Sequence, residues 1–367
     1  MFYTLNQLTS EQYSQAGKKF SRLAVLRQTG FRVPMGYVVP ATIFSMVTEA
    51  TSELMAVIAS SAIDDGAKRE ALAADIRRII LTMPLPEMVI KNLGTTLTAL
   101  RSKGYYSVAV RSSPPLEGLA GSSFAGCYES ILNITNATDL GQALRRCWAS
   151  AFQPSVLDYC CHRDLVLADI QSAVLIQGMI PAEVAGVLFT ADPVSGDDCT
   201  MIIKAVLGLG ESLVQSEVDP ENYRYRWYTD EVTRDPEAVL LSVDEIRALG
   251  EIALTIQEHF GTPQNIEWAY LDGEFHILQA QSIAAIHYAV EEEWTNAYLK
   301  DGGGASSITT PLMWSLYEMV LEETMPRYLA ATGMSPKRPP RRWTASFFGY
   351  PYCAQGWGET NSGVRRT

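Results

Sequence analysis

The chain is poor in histidine, with four among its 367 residues, and it holds six cysteines without a single Cys-x-x-Cys pair. Structural zinc sites draw on closely spaced thiolates and imidazoles, so none is expected. The adjacent Cys160 and Cys161 read as buried, inert thiols rather than a redox pair. Positive charge is also short. The 29 Lys and Arg stand against 41 Asp and Glu, a net charge of −12. A surface of that sign repels polyanions, so neither nucleic acid nor an anionic membrane is an expected partner. No uninterrupted apolar run reaches the roughly 18 residues a membrane span needs. The opening residues, Met1 to Gln7, lack a charged segment followed by an apolar one, so no signal peptide is expected and the cytoplasm is the default location.

The length suits two or three domains with a sizeable core. Residues 9–29 read as one helix, capped by Thr9 or Ser10, with Phe20, Leu23, Ala24 and Leu26 on its apolar face. It includes Gly17-Lys18-Lys19, whose lysines read most simply as solvated charges. Helices are expected over 41–59, 66–82, 86–102 and 138–161, the last interrupted by Pro154. A strand-forming run, Tyr105 to Val110, ends at Arg111. A loop rich in Gly, Ser and Pro follows, through Ser122, Ser123 and Gly126. Such a loop can deliver a guanidinium and backbone N–H groups to an anion, or it can be a plain surface connection.

A β-rich region follows, with strands over 173–180, 185–190, 200–206 and 223–228. A helix over Val243 to Phe260 stops at Gly261. Two further strands flank Asp272-Gly273 as a β-hairpin. A three-residue loop would set Glu267 across from Gln279, giving two oxygen ligands suited to Mg²⁺. A two-residue loop would set Glu267 across from Leu278, with Gln279 on the other face, and the plain alternative to a metal site is a solvated hairpin face. From about residue 290 the character changes. Asp301 to Ser307 is a small-residue loop, Leu312 to Ala331 a helix, Pro336 to Arg342 a basic stretch and Phe347 to Tyr352 an aromatic run.

Several of these stretches together resemble the ATP-binding domain of the phosphoenolpyruvate synthase and pyruvate phosphate dikinase family. They are Val110-Arg111-Ser112-Ser113 with Ser123-Phe124-Ala125-Gly126, the segment Met179 to Pro193, and Gly208-Leu209-Gly210-Glu211 with Pro220-Glu221-Asn222-Tyr223. Pro263 to Ala269 and Ile277-Leu278-Gln279-Ala280 complete the series. Thr309 to Ser315 and Phe347 to Tyr352 are similar to rifampin phosphotransferase and its relatives.

The resemblance implies an α+β, ATP-grasp fold whose two lobes close on a nucleotide. The N-terminal lobe would span residues 1–170 and the C-terminal lobe 171–288. Residues 289–367 would be a linker and the start of a substrate or docking domain. ATP and Mg²⁺ are the implied cofactors. Lys19 and Arg111 would act catalytically on the phosphates, with Ser122 and Ser123 in the covering loop. Gln177, Met179, Ile180 and Glu183 would line the adenine and ribose side. Glu267 and Gln279 would ligate the metal. The chemistry implied is transfer of the β-phosphoryl group of ATP to a histidine, giving AMP and phosphate, then onward to a small-molecule acceptor.

Departures from the family pattern are specific. The second glycine of a Gly-Gly-Lys motif is Lys18, and arginines expected at two positions are Ser155 and Gln281. None of the four histidines, His162, His259, His276 and His287, lies in a Gly-rich Ser/Thr-His-Ala setting. The carrier histidine is therefore expected on another domain or subunit, as in phenylphosphate synthase. The alternatives are a degenerate module that regulates a partner, and an acyl-phosphate ligase using the same nucleotide site.

Overall fold

The computed structural model describes residues 2–59, 66–113, 130–162, 166–167, 170–197, 199–210, 218–227, 229–283, 294–295, 311–331, 344–347 and 350–354. The chain forms two compact units. The first comprises Met1–Gly186, Ala205–Pro220 and Ile266–Ala284, and the second comprises Val187–Lys204, Glu221–Asn265 and Ala285–Thr367.

The chain opens with β1 (Tyr3–Thr4), two short 3₁₀ turns, α1 (Tyr13–Ala16) and α2 (Lys18–Gln28). The single helix expected over 9–29 is thus broken. The break is Gly17, at φ 80° and ψ 156°, a conformation open only to glycine. Next come β2 (Gly36–Val39), α3 (Ala41–Glu49), α4 (Ser52–Ala59), α5 (Gly66–Thr82), α6 (Glu87–Arg101) and β3 (Val108–Ser113). The helix expected over 41–59 is two helices. Strand β3 starts later and runs further than the Tyr105–Val110 pattern suggests, so Arg111 lies inside the strand rather than at its end. Then follow β4 (Ser130–Ile134), α7 (Ala137–Ser150), α8 (Pro154–His162) and β5 (Ala173–Gly178).

These strands make a five-stranded sheet in the order β1-β2-β5-β3-β4, and the pairs are antiparallel. One face carries Val108, Val110, Val174 and Ile176 into the main apolar core. Phe44, Trp148 and Phe152 fill that core, with Phe44 and Trp148 ring centroids 5.5 Å apart. Burying aromatics of this size supplies a large share of the unit's stability. Asn136 caps α7 by accepting from the Asp139 N–H, which sets the entry angle of the helix that carries Trp148.

The later elements are β6 (Val184–Phe189), β7 (Thr200–Leu207), β8 (Glu221–Arg226), β9 (Glu231–Arg234), α9 (Val243–Phe260), β10 (Gln264–Leu271) and β11 (Glu274–Ser282). Six of them form a sheet in the order β11-β10-β6-β7-β8-β9. Helix α9 opens on a reciprocal capping box between Ser242 and Glu245 and buries Ile246, Leu249, Ala253 and Ile256. In the second unit the buried Tyr223 hydroxyl donates to Glu221 and accepts from the Leu241 N–H at 3.0 Å. Burial and the neighbouring carboxylate push that phenol up to about 12. The chain continues through β12 (Trp294–Thr295), α10 (Pro311–Ala331), β13 (Thr344–Phe347) and β14 (Tyr350–Ala354). The last two strands pair antiparallel, Phe347 against Tyr350, across the aromatic run. The loop 301–307, the basic stretch 336–342, Glu211 and His287 lie outside the described residues. Among the described residues, no single helix is long and apolar enough to cross a membrane.

Candidate functional site

Strand β3 pairs with β5 so that Ala109 faces Gln177, Arg111 faces Leu175 and Ser113 faces Ala173. Side chains alternate along a strand, so Arg111, Ser113 and Gln177 leave the same face of the sheet, away from the main core. On that face the buried donors Arg111 Nε, Ser113 Oγ and Gln177 Nε2 have no hydrogen-bond partner among the described residues. Ser113 is 1 % exposed and Gln177 2 %. Leaving such a group unpaired costs about 1–3 kcal/mol, and three on one face form a concentration of unmet donors that an anion would satisfy.

Helix α2 begins beside this face. A Cβ built on Gly17 would lie 2.6 Å from Ser113 Oγ and 2.9 Å from the Ser113 carbonyl oxygen. Only a glycine permits that approach. It seats the first turn of α2, which has no side-chain cap, against the end of β3. Lys18 and Lys19 open the helix, where the macrodipole already carries positive charge. Cations placed there work against the helix but with an anionic ligand. Lys18 is exposed and Lys19 partly buried.

Arg111 Nη1 donates to Glu267 Oε2 at 2.9 Å, with side chains 11 % and 27 % exposed, and lies 3.5 Å from the Leu278 carbonyl. Burial opposes the charge on Glu267, but Arg111 and then Lys19 outweigh it and hold the carboxyl below its usual range. The three charged groups expected at the site, Lys19, Arg111 and Glu267, therefore act on one another.

The hairpin that carries Glu267 turns on Asp272 and Gly273, at φ 50° and 80°. Positive φ at both central positions is the signature of a two-residue type I′ turn. Contact between Tyr270 and Phe275, centroids 4.7 Å apart, accords with that register near the turn. The three-residue loop considered from the sequence is not the one formed, so the direct pairing of Glu267 with Gln279 that it would give does not follow from the turn. Neither polar group decorates a solvated face, however, because Glu267 is paired with Arg111 and Gln279 is buried. Among the described residues no hydrogen bond joins Glu267 to Gln279. Gln279 is 4 % exposed and donates Nε2 to Gln281 Oε1 at 3.1 Å, while its own Oε1 is buried without a partner. Arg22 of α2 ties this strand down by donating Nε to the Ala280 carbonyl at 3.1 Å. Burial pulls the Arg22 guanidinium down to about 10.

The remaining candidates sit on the continuation of β5. The Met179 N–H donates to the Ser107 carbonyl, and Met179 Sδ accepts from the Asn133 N–H at 3.0 Å. Ile180 packs with Ala185 and Ala269. The Glu183 side chain is exposed, while its backbone N–H donates to Tyr270 and its carbonyl accepts from Gly208. Ser122 and Ser123 lie outside the described residues. Ser155 is exposed near the start of α8.

Two features of the site were not read from the sequence, the Ser113 hydroxyl left unpartnered among the described residues and the bond between Gln279 and Gln281. Ser113 was legible in principle, because it stands two residues beyond Arg111 on a strand. The bond of Gln281 to Gln279 had the same i, i+2 signal.

A family profile described as the AMP/ATP-binding domain of pyruvate phosphate dikinase matches residues 13–236 and 228–300. A protein named probable phosphoenolpyruvate synthase from Methanothermobacter thermautotrophicus is 32% identical over 318 residues, covering 78% of this chain and 46% of its own. One of the same name from Archaeoglobus fulgidus is 31% identical over 332 residues, with 79% and 43% covered. A rifampicin phosphotransferase from Streptomyces is 30% identical over 318 residues, with 79% and 36% covered. The chain thus spans less than half the length of these relatives. A solved macrocyclase from Microcystis aeruginosa aligns over 72% of this chain and 52% of its own at 12% identity, with a TM-score of 0.27, a level that carries no structural argument. The match along most of the chain identifies it as a member of the pyruvate phosphate dikinase AMP/ATP-binding domain family.

Proposed function

We propose that this chain binds MgATP in an ATP-grasp site and performs the nucleotide half of a dikinase-type phosphoryl transfer. The β-phosphoryl group passes to a histidine on another domain or subunit, water takes the γ-phosphoryl group, and AMP and phosphate leave. The phosphohistidine then serves a small-molecule acceptor. The observation that carries this reading is the face holding Arg111, Ser113 and Gln177. Its buried donors lack partners among the described residues, and it lies beside the lysine-bearing start of α2. Phosphoryl transfer asks the protein mainly for positioning and charge neutralisation, and a guanidinium with a nearby ammonium provides both.

The oxygen donors fit a magnesium ion. Gln279 Oε1 is buried without a partner, and Glu267 is a carboxylate kept charged. Mg²⁺ takes one or two protein oxygens and fills its shell with phosphates and water. When bound it neutralises phosphate oxygens. Arg111 and Lys19 then hold the phosphates, and the 177–183 segment takes the adenosine side.

Equilibrium binding of ATP with and without Mg²⁺ tests the proposal. Saturable, Mg²⁺-dependent binding that collapses in Arg111→Ala and Glu267→Ala is expected. Unchanged affinity in both variants rejects it. A second reading, a regulatory module without turnover, is favoured by Ser155 and Gln281 standing where arginines were expected. Mg²⁺-dependent isotope exchange into ATP in the presence of a histidine-bearing partner separates the two.

A further inference from the structure

We infer that Gln281 is a positioning residue that turns the Gln279 amide so that its oxygen, not its nitrogen, faces the metal. The inference rests on the MgATP reading above. A glutamine amide presents an acceptor at one end and two donors at the other, and the two ends differ little in shape. For a cation ligand that ambiguity is harmful, since the nitrogen end repels the ion. Something must break the symmetry, and the neighbour two residues along the strand does so. Gln279 Nε2 donates to Gln281 Oε1 at 3.1 Å. With the nitrogen held there, Gln279 Oε1 is left buried and unpartnered on a residue 4 % exposed. An unmet buried acceptor is costly in the free protein and becomes useful once a cation arrives. Arg22, bound to the Ala280 carbonyl between the two glutamines, fixes the stretch of strand on which both stand. Partners that orient a metal ligand commonly change metal affinity about 10–100-fold when removed.

The test uses Mn²⁺ as a paramagnetic stand-in for Mg²⁺, titrated by electron paramagnetic resonance onto the chain saturated with an imido analogue of ATP. Gln281→Met keeps the size and removes the acceptor. It is expected to weaken Mn²⁺ retention about tenfold while leaving affinity for the metal-free analogue unchanged. A Gln279→Glu background supplies the control, because a carboxylate has two oxygens and needs no orienting. There, adding Gln281→Met should shift Mn²⁺ affinity by no more than about twofold. If Gln281→Met fails to fold, Gln281→Ser in the same two backgrounds makes the comparison. Unchanged Mn²⁺ retention, or equal weakening in both backgrounds, overturns the inference. A parent chain that binds the analogue but never retains Mn²⁺ removes the inference together with the metal half of the proposed function. Absence of nucleotide binding removes the whole reading.

Discussion

Arg111 and Glu267, 156 residues apart in the chain, meet at 2.9 Å between Nη1 and Oε2. The guanidinium that an ATP phosphate would need is thus spoken for by the carboxylate that a metal would need. Metal and nucleotide are expected to help each other bind, because each takes one partner of the pair. Glu267→Gln should strengthen metal-free ATP binding by freeing Arg111, yet lose most of the gain that Mg²⁺ confers. Hydrogen bonds to charged groups are worth about 1.5–3 kcal/mol, so a change on the order of tenfold or more is expected in each arm. Calorimetry with and without Mg²⁺ reads both, and equal Mg²⁺ enhancement in parent and variant counts against the idea.

The same pair makes stability depend on acid. Glu267 titrates below its ordinary value of 4.5 in the folded chain. Its contribution is fully present above that value and is lost as pH falls through the lower, folded one. Urea midpoints for the parent and Glu267→Gln should therefore differ at pH 7 and converge in the acid range below 4.5. A gap that stays constant across that range would show that Glu267 is not the group responsible.

Ser113 separates stability from binding. Its hydroxyl is buried without a partner among the described residues, so Ser113→Ala should leave unfolding free energy within about 1 kcal/mol of the parent, or raise it. Nucleotide affinity should nevertheless fall several-fold. A purely structural role would show the opposite pattern, with lower stability and intact binding.

Gly17 ties the helix to the strand. Gly17→Ala forces a Cβ to 2.6 Å from Ser113 Oγ at a backbone angle of φ 80°. Strain of this kind costs about 1–3 kcal/mol. Displacement of Lys19 should lower nucleotide affinity as well. Chemical denaturation and binding on the same preparation check both, and a Gly17→Ala variant with parental values in each would refute the proposed packing.

Much of the architecture was legible in local pattern. The α9 helix announced itself through Ser242, Glu245, its apolar spacing and Gly261, because capping and amphipathicity are settled within a few residues. The Asp272-Gly273 turn was equally plain. Its loop length was not, since both registers fit the alternation and only the formed turn, with positive φ at both residues, selects one. The break at Gly17 was hidden because the apolar spacing of residues 9–29 reads as one helix. What accompanies the break is the close approach of Ser113, far away in the chain.

The amino-acid sequence alone thus determined which residue types were available to the site. It supplied a strand with Arg111, a lysine-rich helix start, a hairpin with a carboxylate and an amide, and no histidine in a carrier-like setting. The tertiary structure decided which of them interact. It paired Arg111 with Glu267, brought Lys19 into their field, set Ser113 under Gly17 and gave Gln279 to Gln281. The reason is physical. Periodicity and capping depend on neighbours a few residues apart, whereas ion pairing and the fate of a buried polar atom depend on whatever the fold places within about 3 Å of it.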